Sequence, residues 1–174
     1  IMKSRDRIIN AAIPVFAGKG RHGAHMEEIA SLAHINKAMI YYIFHNKDEL
    51  YYEVLMHVTV KMWNAIFEIT DGDIKRGKGL ADVISTFISA TISFFVENNA
   101  YTKILVDAMS SGAEEIPVAI EYIKTNYGEN DPTARLREII EKGKVEKSIR
   151  DVDSDQLIIS IIGMVIIYFF SQSI

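Results

Sequence analysis

Residues 26–50, MEEIASLAHINKAMIYYIFHNKDEL, constrain this chain more than any other stretch. Met26, Ile29, Ala30 and Ala33 recur at helical spacing and define one apolar face. His34-Ile35-Asn36 interrupts the pattern, and Asn36 has a side chain suited to cap the next helix. Lys37 to Ile43 predicts a second short helix, with Ile40 and Phe44 inward and Lys37, Met39, Tyr41 and Tyr42 on the other face. Asn46 then opens a third helix at Lys47-Asp48-Glu49-Leu50, with Glu49 placed as in a capping box. The acids of that first turn complement the helix dipole. Two short helices around a tight turn form a geometry that fits a helix into the major groove of DNA.

The rest of the chain also reads as helix. Ile8, Ile9, Ala12, Ile13 and Phe16 give a buried face to Ser4–Lys19, closed by Gly18-Lys19-Gly20. Pro14 lies inside that helix and is expected to kink it. Leu50, Val54, Val58, Met62, Ile66 and Ile69 form a stripe on a long helix from Lys47 to about Thr70. Residues 71–79, polar and glycine-rich, read as a linker. Further helices are expected over Leu80–Val96, Tyr101–Met109, Glu115–Tyr127, Pro132–Lys147 and Asp155–Ile174, the last capped by Asp153 or Ser154. No stretch alternates apolar and polar residues, so no sheet is expected. The fold class is all-α: a three-helix head over 1–46 and a helical body over 47–174.

Charge is divided between these parts. Residues 1–50 hold seven Lys/Arg against five Asp/Glu, and residues 51–174 hold twelve against eighteen. A mildly basic head on an acidic body suits a partner that is a polyanion. Cysteine is absent, which removes disulfides and thiolate metal sites and accords with a reducing, cytoplasmic setting. No basic, apolar and small-residue sequence of a secretory leader opens the chain.

The motifs of 26–50 resemble the TetR/AcrR-type transcriptional regulators. Ile29-Ala30, Ala33, Ile35, Lys37, Ile40-Tyr41, Phe44, Lys47 and Leu50 fall in register with that family, as do Arg5, Ile8, Ala11-Ala12, Phe16 and Gly20 upstream. Three residues depart from the pattern. His34 stands at a turn position usually held by glycine, so His must accept an unusual backbone region there. Ala24-His25 replaces a Ser/Thr pair, removing a helix cap, and Pro14 is the third.

The resemblance implies a dimeric regulator, a repressor rather than an activator, released from a palindromic operator by a small-molecule effector. It places His25, Asn36, Lys37, Ala38, Met39, Tyr41, Tyr42, His45 and Lys47 against double-stranded DNA, with Tyr41 and Lys47 on phosphates. It places an apolar effector among Trp63, Phe67, Phe87, Phe94, Tyr101, Asp107 and Tyr122, residues that ordinary core packing also explains. The run Leu157–Phe170 is apolar on all faces, shorter than the about 20 residues of a membrane span, and preceded by Asp151, Asp153 and Asp155. Burial against a second copy is expected, through Leu136, Ile140, Leu157, Ile161, Met164 and Tyr168.

Competing chemistries find little support. Gly72, Gly77 and Lys78 match part of a phosphate loop, but Gly79 stands where Ser or Thr is required. His22 and His25 lack the carboxylates or thiolates that would complete a metal site. No nucleophile–base pair is visible, so no enzyme, cofactor or metal is expected. The alternative binding role is a helical protein-interaction scaffold without specific DNA binding.

Overall fold

The computed structural model describes residues 4–110, 121, 125 and 134–171. All regular structure among them is helical. The elements are α1 (Ser4–Gly23), α2 (Met26–Ala33), α3 (Lys37–Phe44), α4 (Lys47–Lys75), α5 (Leu80–Glu97), α6 (Asn99–Ser110), α7 (Ala134–Val145) and α8 (Ser154–Ser171). The helix expected over Glu115–Tyr127 lies outside the described residues, apart from Glu121 and Thr125, which are helical.

Packing divides the chain into two units. Unit 1 comprises Ile1–Val60 and Asn99–Ile120; unit 2 comprises Lys61–Asn98 and Glu121–Ile174. The three-helix head of the sequence reading is thus contained in a larger packing unit, which also takes in the start of α4 and all of α6.

In unit 1, α1 packs against α2 and α6. Its Ile8, Ala12 and Phe16 are fully buried, with Ile29 of α2, Ile40 and Phe44 of α3, and Leu50 and Tyr51 of α4. Phe16 meets Tyr51 edge to face at 5.1 Å. Each of the isoleucine, leucine and phenylalanine side chains contributes roughly 1.5–3 kcal/mol on leaving water. Pro14 does not break α1. It is exposed and keeps helical geometry, so water can satisfy the backbone carbonyl that its ring deprives of a donor. The break comes instead at Gly20, with φ 66° and ψ 177°. That region is essentially closed to side-chain-bearing residues. A Cβ at Gly20 would also stand 2.8 Å from Asp107 Oδ1.

In unit 2, α5 packs against α7 and α8, and α7 against α8. Trp63 stacks on Phe67 at 5.0 Å, and Phe67 meets Phe87 at 5.6 Å. Leu136 and Ile140 of α7 are fully buried in the same unit, with Ile158 of α8. Among the described residues α5 alone has the length and hydropathy of a membrane span, yet Val83, Phe87, Ala90, Phe94 and Phe95 of it are core residues.

α4 runs to Lys75, past the expected linker start at Asp71, and Ile69 is exposed where Thr70 is buried. Thr70 can be buried because its Oγ1 donates to the Ile66 carbonyl at 2.8 Å. The linker shrinks to residues 76–79 because Asp73 secures it. That side chain, only 4% exposed, binds Arg76, Lys78 at 2.9 Å and the Thr86 hydroxyl at 2.6 Å. The Thr86 hydroxyl, then Lys78 and Arg76, hold the Asp73 carboxyl well below the usual carboxylate range. Lys78 is therefore committed to a carboxylate and does not face a phosphate loop. The Asp153 side chain caps α8 by accepting from Gln156 N–H at 2.8 Å, while the Ser154 hydroxyl donates to Glu141 at 2.5 Å.

Candidate nucleic-acid interface

The turn between α2 and α3 is built from backbone geometry and one cap. His34 takes the left-handed conformation (φ 51°, ψ 46°), and its N–H closes the end of α2 on Ser31 O at 3.1 Å. A residue with a Cβ tolerates this region at a cost of roughly 1–2 kcal/mol. Arg7 reinforces the same end, donating to the carbonyls of Ala33 at 2.7 Å and His34 at 3.2 Å. Asn36 then caps α3, its Oδ1 accepting from Ala38 N–H at 2.9 Å. α2 has no such cap: His25 occupies the position without a side-chain hydrogen bond.

α3 presents two unlike faces. Ile40 and Phe44 are buried, and Arg5 lies over the Phe44 ring at 5.4 Å. Asn36, Ala38, Met39, Tyr41 and Tyr42 are exposed, Tyr42 at 82%. Tyr51, by contrast, is core. His25 and His45 are exposed at the ends of neighbouring segments. His45 has positive φ and approaches Glu49 at 3.0 Å through Nδ1. Asn46 caps α4 by accepting from Glu49 N–H at 2.8 Å. All nine residues expected at DNA belong to unit 1, and none is fully buried.

Lys37 and Lys47 do not stand free. The Lys37 ammonium pairs with Glu27 and lies 5.6 Å from the Tyr41 ring centroid. The Glu27 hydrogen bond raises the Lys37 pKa above its ordinary value, and Lys37 lowers that of Glu27. Lys47 donates to the carbonyls of His22 at 2.9 Å and Ala24 at 3.3 Å. It ties the start of α4 to the loop before α2, a role that sequence reading did not find. Arg5 with Glu53, Lys19 with Glu28 and Arg21 with Asp48 complete the pattern. Every described Lys and Arg of residues 4–50 is thus engaged within the protein.

Residues 8–54 match the family model of bacterial regulatory proteins, tetR family. That stretch, from α1 into α4, is similar to the tetR family of regulators. Residues of the chain are 43% identical over 56 positions to the transcriptional repressor NicS of Pseudomonas putida, covering 32% of this chain and 26% of NicS. They are 40% identical over 47 positions to IcaR of Staphylococcus epidermidis, a negative transcriptional regulator of the biofilm operon icaADBC, covering 27% of this chain and 25% of IcaR. These matches span about a quarter of each relative. The fold extends further. The fatty acid degradation regulator FadR of Bacillus halodurans superposes with a TM-score of 0.73 at 17% identity, covering 99% of this chain and 87% of FadR. FadR of Bacillus subtilis, solved in complex with stearoyl-CoA, gives 0.70 at 19%, covering 97% and 88%. The all-α class and the resemblance read from 26–50 therefore hold, and these matches are to transcription regulators rather than enzymes.

The expected effector residues divide between the two units. Trp63, Phe67, Phe87 and Phe94 are buried in unit 2, closed over by one another and by neighbouring core side chains. Tyr101 and Asp107 belong to unit 1, and Tyr122 lies outside the described residues. Asp107 is occupied: it accepts from the Tyr51 hydroxyl at 2.8 Å and from Arg21 N–H at 3.2 Å, joining α1, α4 and α6. Among the described residues, unit 2 carries an open groove of about 820 Å³. Leu80, Ile84 and Ile88 of α5 form one wall, Ile149 and Leu157 another, and Glu146 and Ser148 supply polar groups. Its walls are more than fifty residues apart in sequence, which hid it from periodicity.

The expected dimer residues also divide. Leu136, Ile140 and Ile161 are buried in the protomer's own core and offer no outward face. Leu157 lines the groove. Met164 and Tyr168 are exposed, joined by Ile159 and Ile167. Gly163 lies among them, with no atom within 4 Å of the position a Cβ would take.

Proposed function

We propose that this chain is a dimeric, effector-responsive transcription regulator that reads a palindromic operator through α3 and represses by occupying it. The observation that carries the reading is α3 itself, a capped helix held by Ile40 and Phe44 with Met39, Tyr41 and Tyr42 turned to solvent. Tyrosine can hydrogen-bond phosphate, and the methionine side chain suits a thymine methyl. Two such helices, one per protomer, would enter successive major grooves about 34–36 Å apart. The dimer reading is supported by the bare stripe of Met164, Ile167 and Tyr168, each at least 60% exposed. Apolar surface of this kind gains roughly 25 cal/mol per Å² when covered. The groove of unit 2 is the effector site in this reading, and its Leu80, Ile84, Ile88 and Leu157 suit an apolar, acyl-like molecule with a polar end near Ser148. The protein acts in the cytoplasm, with the DNA.

Selection of duplexes from a random pool, followed by gel shift at two salt concentrations, tests the operator. Absence of any specific, salt-sensitive complex overturns the reading. Filling the groove with Ile84→Trp should leave DNA binding intact and abolish release by any compound that releases the wild type. Release that survives this change moves the effector site elsewhere.

A further inference from the structure

Among the described residues, Glu27 is the acid placed against Lys37, the cation of the α3 face. It sits in the first turn of α2, exposed, and its carboxylate pairs with Lys37, the first residue of α3. Lys37 is the only Lys or Arg on α3, and the other described basic side chains of residues 4–50 are committed elsewhere in unit 1. Any phosphate or guanine that approaches Lys37 must compete with a carboxylate already in place. A phosphate of arbitrary DNA offers a similar charge and no better geometry. A base edge at the right register offers two acceptors, guanine O6 and N7, together with the contacts of Met39, Tyr41 and Tyr42.

We infer that Glu27 is a specificity-determining residue, a built-in counter-ion that withholds Lys37 from arbitrary DNA and yields it only where the whole α3 face finds its sequence. This inference rests on the DNA-reading role proposed above for α3. Non-specific binding is governed by the number of cations that reach phosphate. Removing the Glu27 charge should add one such cation on any duplex, while operator binding, which already recruits Lys37, gains less. The discrimination between the two should therefore shrink.

The test compares wild type, Glu27→Gln and Glu28→Gln. Glu28 neighbours Glu27 but pairs with Lys19, off α3, so it removes the same charge without touching Lys37. Binding to a random-sequence duplex and to a duplex enriched by selection is measured across a salt series. For Glu27→Gln, affinity for the random duplex should rise about fivefold near physiological salt, and its log–log salt slope should steepen by about 0.9, the signature of one more phosphate contact. Glu28→Gln should show neither change in full. Unchanged random-duplex binding, or an equal rise with Glu28→Gln, overturns the inference. So does loss of affinity confined to the selected duplex, which would make Glu27 a positioning residue for Lys37. If wild type forms no salt-sensitive complex with either duplex, the DNA-reading role itself falls. Wild-type binding with an inert Glu27→Gln leaves that role standing and removes only the counter-ion.

Discussion

Two helices of this protein expose tyrosine and methionine, and they do so in opposite company. On α3, Met39, Tyr41 and Tyr42 stand among Asn36, Lys37 and His45. On α8, Met164 and Tyr168 stand among Ile159, Gly163 and Ile167, with no charged residue between Leu157 and Ser171. The first surface keeps water and ions nearby and suits a hydrated polyanion. The second offers no charged group to hold a phosphate, its hydroxyl at Tyr168 standing among aliphatic side chains, and suits another apolar face. Exposed aromatic area alone does not distinguish a nucleic-acid reader from a protein interface. The side chains interleaved with it do.

Placing a charge in the apolar stripe should have the largest effect. Tyr168→Asp is expected to weaken self-association by about 3 kcal/mol, on the order of a hundredfold, as read by sedimentation equilibrium. An unchanged oligomer would dissolve the contrast by showing that α8 faces water by design. On the other surface, Tyr42→Ala should cost about 1–3 kcal/mol on the selected duplex and little on random DNA. Lys47→Ala should weaken both alike, because it loosens the loop that carries α2 rather than removing a base contact. Equal losses for the two variants on both duplexes would mean that α3 does not read sequence.

The turn that aims α3 gives a smaller effect of opposite sign. His34→Gly should stabilise unit 1 by about 1 kcal/mol in chemical denaturation, because glycine adopts the left-handed region without a Cβ penalty. No gain would show that the imidazole makes a compensating contribution. The least is expected from acid acting on unit 2. The Asp73 carboxyl is held below its ordinary value of 3.8, so its contribution is complete above that pH and is lost as pH falls below it. Asp73→Asn should remove that part of the acid dependence while leaving α3 and its DNA binding unaltered. A thermal melt from pH 5 downwards reads this, and identical acid profiles for the two proteins would refute it.

What the sequence revealed follows the range of the interaction. Caps at Asn36, Asn46 and Asp153 were legible because a side chain and the N–H groups it serves lie within three residues. His34 was legible for the same reason: the turn requires its conformation whatever the rest of the chain does. Pro14 stays within α1 with helical dihedrals because a proline ring disrupts a helix less where water reaches the backbone. α4 runs past the expected linker start because Gly72 resembles a linker residue until Asp73 gathers Arg76, Lys78 and Thr86 around it. Periodicity located the apolar faces of α7 and α8 but could not say which partner each face meets. Leu136, Ile140 and Ile161, expected against a second copy, are buried within the protomer. The Glu27–Lys37 pair spans a turn, and the unit 2 groove spans half the chain. Neither has a local signature.

The unit that carries α3 is discontinuous. The chain leaves it after Val60 and returns at Asn99, and α6 packs on α1 with Asp107 binding the Tyr51 hydroxyl and the Arg21 amide. During synthesis this unit therefore waits for α6 until Ser110 has left the ribosome, long after α3 itself has emerged. A gene fusion that borrows only the opening segment would carry α3 without its foundation.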